Sequence, residues 1–253
     1  MEFPVYIHLF GLNIHPHFLF EALSYFIGFR LYLYQRKRYR TANPIPLEKG
    51  LGVLSGAIAG AAAGSKILYW FEDPLQTLQK WNDLTYLMEG KTIVGGLLGG
   101  LIGVEIAKKI VKWPHSTGDD FAIPLCIGIA IGRIGCFLTG LSDHTYGIET
   151  TWITGVDFGD GVLRHPTQIY EIAFLIALLP VLVRLRRNYP FSGLSFQCFM
   201  FMYLLFRFWI DFIKPTPHPY IMLNNVQVAA LLGIIYYGLL FWRNKPSLLQ
   251  KEI

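Results

Sequence analysis

The sequence predicts an all-α protein, a polytopic membrane helix bundle of about seven transmembrane helices, with its N-terminus outside and its C-terminus cytoplasmic. Three observations carry that expectation. The composition is 53% hydrophobic and 15% charged with a mean hydropathy of +0.40, too apolar for a soluble domain. Apolar runs of about 17 to 25 residues, enough to cross about 30 Å of hydrocarbon, recur along the chain. The basic residues concentrate in alternate connections between those runs, as they do when short Lys- and Arg-rich loops stay in the cytoplasm.

The runs fall at 18 to 34, 50 to 70, 92 to 111, 120 to 140, 167 to 185, 192 to 213 and 222 to 242. Most of the 22 Lys and Arg lie after the first, third, fifth and seventh runs: Arg36, Lys37, Arg38, Arg40 and Lys49; Lys108, Lys109 and Lys112; Arg184, Arg186 and Arg187; Arg243, Lys245 and Lys251. Lys80, Lys91, Arg164 and Lys214 fall on the opposite side. The chain reads as one integral membrane domain over 1–253 with outer loops at 71–91 and 141–166. Tyr6, Phe10 and Phe18 suit an interfacial N-terminal segment, and Trp81, Tyr86 and Leu87 suit a second one. Gly56, Gly60 and Gly64 in the second run match Gly95, Gly99 and Gly103 in the third, a four-residue spacing that lets helix backbones pack closely.

The net charge of +5 fits basic loops on one membrane face rather than a nucleic-acid surface. Cys126, Cys136 and Cys198 lie in apolar runs without CxxC spacing, so neither a disulfide framework nor a metal site is expected, and no cofactor is implied. No cleavable leader pattern stands at the N-terminus.

Charges inside apolar runs are costly and mark function. Glu21, Lys66, Arg133, Glu171, Arg207 and Asp211 all fall toward the outer end of their runs, which predicts a polar cavity opening to the outer leaflet. Helical spacing groups His17, Glu21 and Tyr25 on one face, Arg207 with Asp211, and Gln168 with Glu171. Arg207 with Asp211 also suits an internal neutralising pair. Asp120 suits a helix N-terminus, where it complements the dipole. In the outer loop, Asp157 to Gly161 is turn chemistry, and too few carboxylates fall at calcium-loop spacing. Arg164 and His165 precede Pro166 at the start of a helix, a place for an anion. A lipid phosphate is therefore expected on Arg133, with Arg164, Arg207 or Lys214, because arginine grips phosphate by a bidentate fork. His17, Gln168, Tyr170 and Asp211 complete the polar cavity. A carboxylate seated on Arg133, with no crevice to the outer monolayer, would end this reading.

At Gly132-Arg133-Ile134-Gly135-x-Phe137, Arg164-His165-Pro166-Thr167-Gln168-Ile169-Tyr170-Glu171, the glycine run through Gly103 and Val104, and Phe206-Arg207 with Asp211, the sequence resembles the prolipoprotein diacylglyceryl transferase family. The Arg-His-Pro-Thr-Gln-x-Tyr-Glu block is its specific part, and the resemblance covers most of the chain. It implies a bacterial inner-membrane enzyme that moves a diacylglyceryl group from phosphatidylglycerol to the cysteine thiol of a prelipoprotein signal peptide. Arg133 carries over cleanly. The family's thiol-activating histidine is replaced by Leu98, or Val94 if the glycine run is shifted. Cys136 stands for an asparagine, Leu141 for an acidic residue, Glu21 for a tyrosine and Lys214 for an arginine. A substitute base is then expected among His165, His144, Glu171 and Glu21, with His17 beside them. The alternatives are a divergent member that uses another lipid donor or acceptor, or a protein that keeps the fold to bind or move lipid without transfer chemistry.

Overall fold

The computed structural model describes residues 3–9, 11–39, 45–190 and 192–249. Phe10, Arg40 and Lys251 lie outside the described residues, as does the side chain of Lys245. A short hairpin, β1 (Ile7–Leu9) with β2 (Leu12–Ile14), opens the chain. Helices follow: α1 (Pro16–Arg38), α2 (Leu47–Trp70), α3 (Pro74–Gln79), α4 (Leu84–Met88), α5 (Ile93–Ile110) and α6 (Asp119–Thr139). A second small hairpin, β3 (Val156–Asp157) with β4 (Leu163–Arg164), precedes α7 (Thr167–Asn188), α8 (Leu194–Ile210) and α9 (Asn225–Leu249).

Every predicted apolar run coincides with a helix. The protein is a membrane helix bundle in which α2, α6, α7, α8 and α9 are long and apolar enough to cross a membrane. The other two runs are helices set apart by their charges: α5 is as apolar as the others but carries Glu105, Lys108 and Lys109 within 18 residues, and α1 carries Glu21 and Arg30 before its basic end.

The chain forms two compact units. The first takes residues 1–40, 116–199 and 212–215. In it α6 packs on α1 and on α7. Gly135 explains the α1 contact: a Cβ there would lie 2.7 Å from Cβ of Phe20 and 3.2 Å from the Pro16 carbonyl, so a side chain would push α1 away. One stripe of α7 is buried along its length, Gln168, Glu171, Leu175, Leu178, Leu182 and Arg186. Apolar residues fill its middle and charges close its ends.

Arg186 and Asp120 correct the sequence reading. Arg186 does not sit among exposed loop charges: it is fully buried, paired with Asp120 and 3.6 Å from Asp119. Asp120 is thus an ion-pair partner rather than a simple dipole charge. Asp119 in turn accepts hydrogen bonds from the backbone N–H groups of Gly193 (2.7 Å) and Phe196 (3.2 Å), tying the start of α8 to α6.

The second unit takes residues 41–115, 200–211 and 216–253. Its spine is α2 against α5, joined through the paired glycines. A Cβ on Gly60 would lie 2.3 Å from the Gly99 carbonyl oxygen, and one on Gly99 would lie 2.3 Å from that of Gly60, so the backbones touch. The connection is capped on both sides. Asp73 and Asp83 accept backbone N–H bonds at the starts of α3 and α4, and Lys66 donates to the carbonyls of Met88, Glu89 and Gly90 at the end of α4. Tyr86 is buried, its hydroxyl 3.0 Å from Thr77.

Candidate active site

The first unit gathers most of the predicted site residues at the α6 C-terminus, the loop after it and the start of α7. α6 ends at Gly140, whose φ of +73° is open to glycine, and a 3₁₀ turn over Gly140–Asp143 follows. That turn swings Asp143 back toward α1. His17 Nδ1 stands 2.7 Å from Asp143 Oδ1, and its Nε2 stands 3.5 Å from Glu21 Oε2. Tyr25 donates to Glu21 at 3.2 Å, which completes the predicted helical face. Thr145 donates to Asp143 at 2.5 Å, and Gln168 donates to Thr145 at 3.1 Å, so the network runs from α1 to α7. His17 precedes the apolar run of α1. The hydrogen bond with Asp143, followed by that with Cys136, raises its pKa from 6.5 to about 10.

A cleft of about 440 Å³ opens here, lined by His15, His17, Phe18, Glu21, Thr139, Ser142 and Asp143. Of the four residues expected to supply a base, Glu21 is the one that lines it.

Arg133 departs from expectation. Its Nε lies 2.9 Å from Glu171 Oε2, with the two side chains 7% and 2% exposed, and its Nη1 lies 3.7 Å from Cys136 Sγ. Arg133 is therefore not an open cation, and Glu171 is a buried partner rather than a free base. The carboxylate that would count against the lipid-phosphate reading is present, and Arg133 does not line the cleft. Burying a guanidinium is costly unless a carboxylate compensates, and this pairing supplies one. It also brings together the two most specific sequence blocks, Gly132–Phe137 and Arg164–Glu171.

The remaining cations are engaged as well. Arg164 bonds Asp160 at 2.7 Å and lies over the Tyr146 ring at 5.3 Å, and that pairing lowers the Asp160 carboxyl below its ordinary range. Arg207 pairs with Asp211 at 3.0 Å, both buried in the second unit, where Asn224 also reaches Asp211 at 3.4 Å. Lys214 is buried, in the first unit. His165 shares its Nδ1 with the Tyr170 hydroxyl at 3.1 Å, and Tyr170 meets Thr154 at 2.7 Å. His144 is exposed, at φ 53° after the 3₁₀ turn.

Sequence reasoning missed Asp143, Thr145 and Cys136 as site residues. One signal for two of them was available: Cys136 and Asp143 are two helical turns apart, so they share a face if the helix nearly continues.

These features define a multi-pass membrane helix bundle in whose first unit the Arg133–Glu171 pair and a polar cleft lie toward the C-terminal end of α6. A model of the prolipoprotein diacylglyceryl transferase family matches residues 4–243. Proteins named phosphatidylglycerol–prolipoprotein diacylglyceryl transferase are similar throughout. That of Clostridium tetani is 30% identical over 240 residues, covering 92% of this chain and 94% of the relative. That of Coxiella burnetii is 30% identical over 262 residues, covering 94% of each, and a second enzyme of Clostridium perfringens is 28% identical over 260 residues, covering 96% of each. The chain belongs to the prolipoprotein diacylglyceryl transferase family.

Proposed function

We propose that this chain transfers a diacylglyceryl group from phosphatidylglycerol to the cysteine thiol of a prolipoprotein signal peptide. The observation that carries the assignment is the family match across residues 4–243, which spans both sequence blocks joined by Arg133 and Glu171. The protein is a single domain of the bacterial inner membrane with seven spans, its N-terminus outside, its C-terminus cytoplasmic, and segments 71–91 and 141–166 outside. The cleft faces the outer leaflet.

In the reaction the thiol sulfur attacks the glyceryl carbon, the carbon–oxygen bond to phosphate breaks, and glycerol phosphate leaves. Glu21, on the cleft wall, accepts the thiol proton, the part that the family's histidine plays elsewhere. Glu171 holds the Arg133 guanidinium by its Nε edge, and because Arg133 does not line the cleft, the wall between them must open so that the lipid phosphate meets the other edge of that cation, where positive charge stabilises the departing oxygen. Arg164, Arg207 and Lys214 are the further phosphate-binding candidates, with His17, Gln168, Tyr170 and Asp211 shaping the cavity. His165 and His144 are the alternative bases.

The pairing of Arg133, Arg164 and Arg207 with carboxylates favours a second reading, a lipid-binding or lipid-moving protein without transfer chemistry. One experiment separates them. The purified protein in phosphatidylglycerol vesicles is given a lipobox peptide, and the diacylglyceryl adduct is sought by mass spectrometry. The transferase reading expects an adduct from wild type, its loss in Arg133→Ala, and a fall of about 10²- to 10⁴-fold in Glu21→Gln. No adduct from wild type removes the reaction, and an adduct unaffected by Arg133→Ala removes the site.

A further inference from the structure

Three groups from separate parts of the chain meet beside the cleft: the imidazole of His17 on α1, the thiol of Cys136 on α6 and the carboxylate of Asp143 in the 3₁₀ turn. One ligand atom from each lies within 4.8 Å of the other two. We infer that these three residues form a binding site for a zinc-class divalent cation.

The donor set argues for that class. Thiolate and imidazole select Zn²⁺, Co²⁺ and related ions over Mg²⁺ and Ca²⁺, which favour oxygen ligands alone. Three protein ligands with one position left for water or a guest is a recurrent zinc arrangement, and the adjoining cleft supplies the approach. The surroundings are those that metal ligands require. Nδ1 of His17 faces Asp143, so it shares the cation with that carboxylate, and Nε2 is left to donate to Glu21, 3.5 Å away. A carboxylate behind a ligating histidine fixes the ring and raises its basicity. The second oxygen of Asp143 is held by Thr145 at 2.5 Å, which orients that ligand too. Bonds of about 2.0 Å at tetrahedral angles place two N or O ligands about 3.3 Å apart. The 2.7 Å between Nδ1 and Oδ1 therefore widens by a few tenths of an ångström as the metal replaces the shared proton. Gly135 makes the approach possible, since any side chain there would displace the α1 backbone at Pro16 and His17.

The site is independent of the transferase assignment, and its test uses neither lipid nor peptide. The full chain, purified in detergent and stripped with chelator, is titrated with Co²⁺. We expect one equivalent bound, a thiolate-to-cobalt charge-transfer band, intense visible bands of tetrahedral Co²⁺, and displacement of all of these by Zn²⁺. Cys136→Ser should abolish the charge-transfer band, Cys126→Ser should keep it, and His17→Ala and Asp143→Asn should each weaken binding at least tenfold. A wild type without the band, a band that survives Cys136→Ser, or unchanged affinity in both His17→Ala and Asp143→Asn overturns the site. Should a variant fail to fold, wild type decides alone: Zn²⁺ must slow maleimide labelling of Cys136, read by peptide mass spectrometry, and equal labelling with and without Zn²⁺ also overturns it.

Discussion

Removing Glu171 should destabilise the protein more than it would at an exposed ion pair. Its carboxylate is 2% exposed and sits 2.9 Å from Arg133 Nε, on a side chain only 7% exposed. Exposed pairs contribute about 0 to 1 kcal/mol. Deleting one partner of a buried pair costs about 3–5 kcal/mol, because the remaining charge stays in a low-dielectric setting without the carboxylate seated on it. For a chain of this size each kcal/mol moves the melting midpoint by about 2–4 °C, so Glu171→Ala should melt roughly 6–20 °C below wild type. The buried thiol of Cys126 provides the assay, since a fluorogenic maleimide reaches it on unfolding of detergent-solubilised protein, read by peptide mass spectrometry at that residue. The double variant Arg133→Met with Glu171→Leu removes both charges together and should recover most of the loss, because apolar replacements of a buried pair are often neutral. Transfer activity should not return with it. A midpoint for Glu171→Ala within a degree or two of wild type would refute the compensation argument, and a double variant no better than the single would show that lost packing sets the cost.

Three further outcomes are expected. On α5, Gly99→Val should destabilise by about 1–3 kcal/mol or more, since its Cβ would meet the Gly60 carbonyl at 2.3 Å, whereas Gly100→Ala, with contacts of 3.5 Å, should melt like wild type. Arg186→Met should lower the midpoint measurably while Arg184→Met and Arg187→Met do not, because only the first of these three arginines is buried against Asp119 and Asp120. The Asp160 carboxyl, lowered chiefly by its hydrogen bond to Arg164, should titrate by NMR below the ordinary carboxylate range. A depressed pKa contributes above the unfolded value and is lost as pH falls through the folded one, so the pairing should persist at mildly acidic pH. Arg164→Ala should move that midpoint upward, and an unmoved midpoint would show that the pairing is absent in solution.

The helices were legible because apolar runs and their basic flanks are local properties, and each predicted run is a helix. The partners of the charges were not, since Arg133 meets Glu171, and Arg186 meets Asp119, across long stretches of sequence. Positive charge at the end of a run says which side of a membrane a loop favours, but it cannot say that one of three neighbouring arginines turns inward. The phase of α7 could have said so: Arg186 continues the stripe of Glu171, Leu175, Leu178 and Leu182. The His17–Glu21–Tyr25 face was read from spacing, while Asp143 was hidden by the glycine that ends α6 and folds the chain back. The open Arg133 was expected because sequence shows the price of an intramembrane charge without showing what offsets it.

The glycine seam between α2 and α5 carries one more consequence. Two backbones in direct contact leave no gap for an acyl chain, so a lipid tail cannot thread between these helices. Any lateral doorway for a diacyl substrate must open elsewhere, and α2 and α5 must move, if they move, as one rod.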